Sequence, residues 1–388
     1  MKNDLSHLSE TELQALKEKY YGKCNVKNLV EENGLNIRPG NLYKFFPAEQ
    51  TDIPCPYCDI NMIKPPVSKS ELNYQYRDRL ISCPKCEHNN RRNCLCIGCV
   101  EDAKNWKQRE LEKKYDVLKK MIDRASSDPV PIETASLQER IYLGAMLRSL
   151  LDENLQTIHS VRELYTSFAP YYKFEHSIFK ELEHKGFIKV DLKKSLHEYN
   201  LIILDDEKAE VSYSWKGLFY QVNFFSETLS HKEVIDSLIN SEQEIPEDEL
   251  LEIWKLIALN ECYEYMNYTV ETLFNFDYNF GPKAELIFND LLQKYSVGQV
   301  FNIIYSRSNY ALRYKTEQRI NSKHAANSIL TMIANYAERI EIEKWNLKNY
   351  NRPSYHQESI LSKFFFGRIL KIGDKGFNCP PIKSSLII

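Results

Sequence analysis

The chain has 388 residues, of which 43% are hydrophobic and 27% charged, a composition that argues against wholesale disorder and favours two or three globular domains. No apolar run approaches the roughly 18 residues of a membrane-spanning helix, and residues 1–20 lack the pattern of a secretory signal, so we expect a cytoplasmic protein without membrane contact. Tyr (25) and Phe (18) are numerous and Gly (12) is scarce, which favours a mainly α fold with small β elements.

The net charge of −3 conceals an uneven distribution along the chain. Residues 201–300 hold 19 acidic and six basic side chains, whereas residues 301–388 hold 14 basic and six acidic ones. A basic region of this kind suits a polyanion or the acidic surface of another chain. The two regions could equally attract each other within one molecule, so both interpretations stay open.

The first predicted unit is helical and covers residues 1–50. Ser9 and Glu12 form a capping-box pattern that begins a helix over 10–21. A second short helix ends at Gly34, and a third apolar segment follows it. The spacing resembles a small helix-turn-helix of the kind found in recombinases and regulators, which implies DNA binding, although any three-helix unit has a similar pattern.

Residues 51–100 carry the most specific motifs of the chain. Two CPxC pairs at this separation can place four thiolates at the corners of a tetrahedron, the geometry that Zn²⁺ prefers. The alternatives are disulfides or free structural cysteines, and disulfides need an oxidising compartment, which the N-terminal sequence does not indicate. We therefore predict a zinc ribbon whose ligands are Cys55, Cys58, Cys83 and Cys86.

A second group of thiols follows shortly after the ribbon. Three cysteines and one histidine could hold a second zinc ion, with Gly98 relieving a tight backbone: His88, Cys94, Cys96 and Cys99. Alternatively, these cysteines cap the ribbon or pack as small apolar groups. The isolated cysteines are expected to be inert, namely Cys24, Cys262 and Cys379.

Basic side chains interleaved with tyrosines surround these motifs. Such cations neutralise phosphates and such rings stack on exposed bases, so the segment is predicted to bind nucleic acid, with DNA preferred. The alternative is a solvated ribbon loop. The predicted contact residues are Lys64, Lys69, Arg77, Arg79, Lys85, Arg91 and Arg92.

A charged helix with one apolar stripe is predicted over residues 101–125. The segment SSDPVP at 126–131 is the clearest linker in the chain, and we place a domain boundary there.

Residues 136–225 are predicted to form a winged-helix-like domain, with helices over 160–168 and 175–185. The run FKELEHKGFIKV at 179–190 resembles the last helix and first wing strand of winged-helix domains, which implies binding to DNA or to a protein partner. Acidic residues on this helix favour the protein partner: Glu175, Glu181 and Glu183.

Residues 226–388 are predicted to form a helical C-terminal domain. Apolar residues at i, i+3, i+4 spacing predict helices over 231–240, 247–266, 283–295, 297–305, 322–343 and 357–371. A polar stripe on the fifth of these helices could be a site, but a solvated face is the commoner reason for such a pattern. Its members are His324, Asn327, Thr331, Asn335 and Glu338.

Evidence for catalysis is sparse in the sequence. Motifs for nucleotide hydrolysis, dinucleotide binding and serine hydrolases are absent, and a closed Cys₄ site leaves zinc no position for water. Two tripeptides have the pattern of a Mg²⁺-dependent nuclease, although such tripeptides also arise by chance. They are Asp191-Leu192-Lys193 and Asp206-Glu207-Lys208.

Together these patterns favour a bacterial, zinc-containing DNA-binding accessory or regulatory protein without catalytic activity, whose C-terminal half binds a protein partner or self-associates. One alternative is a protein-docking subunit of a larger assembly, and another is the nuclease. The combination of motifs resembles accessory proteins of mobile elements and phage-defence operons.

Overall fold

The computed structural model describes residues 4–72, 80–123, 128–203, 209–240, 246–354 and 356–386. The chain forms two compact units, Met1–Lys113 and Lys114–Ile388. As the composition predicted, the fold is mainly α with small β elements. None of the described helices combines the length and the apolar character that crossing a membrane requires.

The first unit consists of short helices, one β-hairpin and the beginning of a long helix. Its described elements are α1 (Glu10–Tyr21), α2 (Val26–Glu32), β1 (Glu49–Pro54), β2 (Asn61–Lys64), α3 (Lys69–Leu72) and the first part of α4 (Ile97–Asp123). The predicted capping box is present, because Glu12 Oε2 accepts from the Ser9 amide at 2.9 Å and the Ser9 hydroxyl accepts from the Glu12 amide.

An apolar cluster joins α1 and α2 to the segment that follows them. Leu16, Leu29, Leu42 and Phe46 are among its buried members. Gly34 ends α2 with a φ of 62°, a conformation that glycine adopts without strain, so the predicted break is confirmed. The third apolar segment forms a 3₁₀ helix, Pro39–Phe45.

The second unit contains most of the helices. After the last part of α4 come α5 (Leu137–Leu150), α6 (Tyr172–His184), α7 (Leu192–Ser195), α8 (His231–Asn240), α9 (Glu247–Phe274), α10 (Pro282–Leu292), α11 (Val297–Gln318), α12 (Ser322–Glu343), α13 (Ile360–Phe364) and α14 (Lys375–Asn378). Its short strands are β3 (Val130–Pro131), β4 (Thr157–Ile158), β5 (Ile188–Val190), β6 (Tyr199–Ile203), β7 (Ala209–Tyr213), β8 (Tyr220–Val222) and β9 (Phe224–Phe225).

A three-stranded antiparallel sheet with the order β4–β8–β5 lies in the first part of this unit. The helix predicted over 160–168 does not form, and only the 3₁₀ turn Val161–Glu163 is present. The reason is that the amides of Phe168 and Ala169 donate to the buried carboxylate of Glu175, at 2.8 and 3.2 Å, instead of to helix carbonyls. That contact places Phe168 and Ala169 in the core before α6 begins.

Several helices of the second unit are longer or shorter than predicted. The predictions 231–240 and 322–343 match α8 and α12, whereas α9 and α11 extend well beyond the predicted 247–266 and 297–305. The helix predicted over 357–371 is interrupted, because α13 passes into the π-helical turn Phe365–Ile369.

The core of the second unit is built around α9, whose buried residues lie on every face of the helix. Trp254 in this helix is fully buried, and its indole N–H donates to the carbonyl oxygen of Gly376 at 3.0 Å. Gly144 lies where α5 approaches α8, since a Cβ atom there would collide with the carbonyl oxygen of Leu238.

One buried ion pair connects α9 to the chain that follows α12. Arg352 contacts both carboxylate oxygens of Glu261, with the Nη2–Oε1 pair at 3.1 Å, and the Ser362 hydroxyl donates to Oε1 at 3.0 Å. Nε2 of His356 lies 3.5 Å from Oε2, outside hydrogen-bond geometry. Burial acts to raise the pKa of Glu261, but His356 and the Arg352 charge outweigh it and lower the pKa to about 2.

We expect Arg352→Met to lower the free energy of unfolding by about 3–5 kcal/mol at neutral pH, because it removes the guanidinium that contacts both oxygens of the buried Glu261 carboxylate. In the parent chain the stabilisation from Glu261 is fully present above about pH 5 and is lost as the pH falls toward 2, since the folded-state pKa lies below the unfolded value. The difference between the two proteins should therefore shrink over that range. Urea unfolding at a series of pH values measures it.

Lys255→Met is the matched control, because Lys255 pairs with Glu252 at 2.8 Å on the protein surface. An exposed pair of this kind contributes about 1 kcal/mol or less. Equal losses in the two variants, or a loss in Arg352→Met that does not depend on pH, would contradict the role given to Glu261.

Candidate metal centres

The two CPxC segments fold into turns with the same backbone hydrogen bonds. The Cys55 amide donates to the Ile60 carbonyl at 2.9 Å, and the Cys83 amide donates to the His88 carbonyl at 2.7 Å. The fifth residue of each turn has a positive φ, 54° at Asp59 and 60° at Glu87. The repetition of this turn aims both cysteines of each pair at one point.

The four predicted ribbon ligands converge. The Sγ atoms of Cys55, Cys58, Cys83 and Cys86 all lie within 4.8 Å of one another, and those of Cys55 and Cys86 are 3.5 Å apart. Isolated bridges continue the hairpin from Ile63 to Ser82 and from Ser82 to Asn89, so β1, β2 and both turns form one small antiparallel ribbon. The geometry is suited to holding a metal ion.

Electrostatics within this group favour a bound cation. Burial raises the pKa of Cys55, and hydrogen bonding to Cys86 together with burial raises the pKa of Cys58 to about 12. The backbone N–H of Cys86 instead lowers the pKa of Cys83 to about 7, because it stabilises the thiolate. Four thiolates can share such a volume only when a cation offsets their burial and mutual repulsion.

The predicted second group converges as well. Nδ1 of His88 lies 3.6 Å from Sγ of Cys94, 3.5 Å from that of Cys96 and 3.2 Å from that of Cys99. All four ligand atoms lie within 4.8 Å of one another, which again suits a metal ion. Because α4 begins at Ile97, earlier than predicted, Cys99 occupies its first turn.

Backbone amides support the thiolates of this second group. The N–H of Cys96 and that of Asn89, whose nitrogen lies 3.3 Å from the Cys94 sulfur, lower the pKa of Cys94 to about 6. Burial raises the pKa of Cys96, whose sulfur accepts from the Cys99 amide at 3.4 Å. These N–H···S contacts hold sulfur in its ligand form.

Tyr57, inside the first CPxC pair, connects the two groups. Its hydroxyl lies 2.6 Å from Oδ2 of Asp102 and 3.5 Å from Sγ of Cys99. Its ring meets the ring of His88 edge-on, with 5.1 Å between centroids. A Cβ atom at Gly98 would lie 2.5 Å from two carbons of the Tyr57 ring, so this ring packs directly on α4.

The role predicted for Gly98 is therefore wrong. Gly98 lies inside α4, and its φ is not positive, so it does not relieve a strained backbone. Its missing side chain instead makes room for Tyr57. No local sequence pattern marks Tyr57 as a neighbour of the second group, because the contact depends on how the two segments pack.

The predicted nucleic-acid contacts fall into three classes. The side chain of Lys69 is engaged within the protein, since its Nζ donates a hydrogen bond to the carbonyl oxygen of Gly22 at the end of α1. Lys64 is half-buried, whereas Lys85, Arg91 and Arg92 are exposed, and the side chains of these four form no ion pair with the described residues. Arg77 and Arg79 lie outside the described residues.

The other candidate sites do not assemble among the described residues. Asp191 caps α7 by accepting from the Lys194 amide at 3.2 Å, and its other oxygen accepts from Gln221 at 3.3 Å. Asp206, Glu207 and Lys208 lie outside the described part of the chain. The polar stripe of α12 is exposed along its length, as a solvated face would be. Of the isolated cysteines, Cys24 is exposed, Cys262 buried and Cys379 half-buried.

Comparison with known proteins gives no relative. No protein-family model, no curated protein and no solved structure matches the chain.

We expect Tyr57→Phe and Gly98→Ala each to weaken metal binding at the second group by roughly 10- to 100-fold, the usual effect of losing support around a ligand. The first substitution removes the hydroxyl near Cys99, and the second displaces the ring. Competition between the protein and a chromophoric chelator for Co²⁺ measures the affinity, since Co²⁺ bound by thiolates absorbs strongly.

Tyr43→Phe serves as the control, because Tyr43 packs against the helical cluster of the same unit and contacts neither group. Chelator competition curves that coincide for all three variants and the parent chain would show that Tyr57 does not support the second group.

Proposed function

We propose that the protein is a zinc-containing DNA-binding protein without catalytic activity, in which two zinc ions shape the DNA-contacting surface of the first unit. The observation that carries the proposal is a set of exposed, unpaired cations beside the two ligand groups. Lys85 lies within the second CPxC turn, and Arg91 and Arg92 lie between His88 and Cys94 of the second ligand group.

Zinc is the metal that this donor chemistry fits best. One group offers four sulfurs and the other offers three sulfurs and one imidazole nitrogen, the donor sets of structural zinc sites. In both groups every donor comes from the protein, so a four-coordinate ion would have no open position for water. We therefore propose a structural role for both ions and no catalytic one.

Cations at this place suit a polyanion. Phosphates of DNA attract Lys and Arg chiefly through the release of condensed counterions, so side chains without a protein partner bind them at the least cost. The carboxylates of Glu87 and Asp59 lie nearby in sequence, yet neither forms an ion pair with the described cations. The side chains of Lys85, Arg91 and Arg92 therefore keep hydrogen-bond donors that a ligand can use.

The second unit would contribute a partner surface in this proposal. Helix α5, strand β4, helix α6 and strand β5 follow one another, and β8 inserts between β4 and β5 in the sheet. This order supports a winged-helix-like domain over residues 136–225, with its middle helix reduced to the turn Val161–Glu163. Of the three acidic residues predicted to favour a protein partner, Glu175 is buried and Glu181 lies 3.5 Å from Lys185, which leaves Glu183 exposed without a described partner.

A protein-docking role is the second candidate, and one observation favours it. Leu95, Ile97 and Val100 are 85%, 78% and 52% exposed around the second ligand group. Apolar side chains concentrated at such exposure are typical of contact surfaces. A stoichiometric protein partner in material purified from the native host, without DNA, would favour this candidate over DNA binding.

We expect elemental analysis to find two zinc ions per chain, one for each ligand group. Cys94→Ser should reduce the content to about one, because it removes a donor from the second group only. Cys24→Ser should leave two, since Cys24 is exposed and distant from both groups in the sequence. Detection of iron, together with visible absorbance, would contradict the assignment. So would a chain whose cysteines all react at once with a thiol reagent and release no metal.

We expect the double variant Arg91→Gln/Arg92→Gln to bind DNA more weakly at low salt. Each phosphate contact contributes about 0.9 to the slope of log affinity against log salt, so losing both should reduce that slope by about 2. Fluorescence anisotropy of the full chain with a labelled duplex, measured at several salt concentrations, gives both quantities.

The charge-matched control is Lys371→Gln/Lys375→Gln, which removes two exposed lysines from the second unit. Identical salt slopes in the double variant, the control and the parent chain would overturn DNA binding by this surface. A loss shared by both double variants would indicate attraction by total charge alone.

A further inference from the structure

Helices α11 and α12 and the residues just after α12 carry alternating arginines and aromatic rings along one shared edge. We call this set the Arg–aromatic ladder. Its members are Arg307, Tyr310, Arg313, Tyr336, Arg339 and Trp345.

The centre of the ladder is Arg307. Its guanidinium carbon lies 3.9 Å from the ring centroid of Tyr336 and 5.4 Å from that of Tyr310. On the α11 side, Arg313 extends the series at 5.8 Å from the Tyr310 centroid. These distances fall within the range in which a cation is attracted to the face of a ring.

The α12 side continues the same pattern. The centroids of Tyr336 and Trp345 are 5.9 Å apart, and the guanidinium carbon of Arg339 lies 5.5 Å from the Trp345 centroid. The spacing of residues explains the alignment, because positions three apart on a helix project from the same face. The ladder therefore crosses from one helix to the other as a single surface.

None of the described carboxylates forms an ion pair with an arginine of the ladder. Among the described residues none of its three arginines forms an ion pair, and Arg307 has a hydrogen bond only with Ser306, at 2.7 Å, while its buried Nε has no partner. The nearby Glu341 is occupied by Lys294 at 2.5 Å. Burial lowers the pKa of Arg307, and Arg313 and Arg339 lower it further, which reflects three cations held close together.

The sequence around the ladder also carries a net positive charge. Residues 301–352 hold nine basic and four acidic side chains. Tyr310 is 44% exposed and Trp345 is 43% exposed, so parts of both rings face solvent. Guanidinium groups bind phosphate oxygens in pairs, and exposed ring faces stack on unpaired bases.

We propose that the Arg–aromatic ladder of the second unit is a binding surface for single-stranded nucleic acid, with phosphates on its arginines and bases against Tyr310 and Trp345. An acidic polypeptide would satisfy the arginines but would leave both rings without a stacking partner. A closed duplex would likewise hide its bases from them. The combination of cations and partly exposed rings therefore favours an unpaired strand.

This surface is independent of the DNA contacts proposed for the first unit. It uses other residues and involves none of the metal ligands, so chelation of zinc should leave it intact. The two proposals can fail separately.

The test uses the full chain and a labelled oligodeoxythymidine, with fluorescence anisotropy at low salt. Tyr310→Ala and Trp345→Ala should each weaken binding by about tenfold, since one stacked base is lost in each. Arg313→Gln/Arg339→Gln should reduce the salt slope by about 1.4, because each phosphate contact on a single strand contributes about 0.7. These side chains are partly or largely exposed, so circular dichroism should show unchanged folding.

Tyr165→Ala and Lys323→Gln are the matched controls, because both residues are exposed and lie outside the ladder. Affinities that stay unchanged in the ladder variants would overturn the proposal, as would competition by polyglutamate as effective as that by unlabelled oligodeoxythymidine. The latter result would instead assign the surface to an acidic polypeptide. Repeating the series with Arg91→Gln/Arg92→Gln and after chelation separates this surface from that of the first unit.

Discussion

The convergence of sulfur atoms is the constraint on which the first unit depends. Its ribbon has a very small apolar cluster, in which Cys55 and Cys83 are packed with Met62 and Ile81. A cluster of this size cannot offset the conformational entropy that the ribbon loses on folding. Ionised thiolates that bind a cation would supply the stabilisation that apolar burial does not provide here. The same thiolates without a cation would repel one another.

The two ligand groups are not separate modules, because single residues belong to both. The carbonyl oxygen of His88 closes the second CPxC turn, while its imidazole is a donor of the second group. Tyr57 lies between two donors of the first group, and its hydroxyl lies close to Cys99 of the second group and to Asp102 in α4. The two groups therefore share backbone and side-chain contacts.

The sequence predicts features that depend on local chemistry and misses those that depend on packing. The donors of both groups and the capping box at Ser9 follow from residue type and spacing alone. The helix expected over 160–168 does not form because the buried carboxylate of Glu175, at the start of the next helix, accepts from the amides of Phe168 and Ala169. The contact between Gly98 and Tyr57 and the ladder across α11 and α12 join segments that are far apart in the sequence, and no local pattern reveals them.

The unpaired cations of the two units are held in place by different interactions. In the first unit Arg91 and Arg92 lie between His88 and Cys94, two donors of the second group, so an ion bound there would fix their placement. In the second unit Arg307 rests on Tyr336 above an apolar core that contains Ile303 and Ile333, and that core needs no ion. Removing metal should therefore abolish one basic surface and spare the other, a separation that net charge alone would not produce.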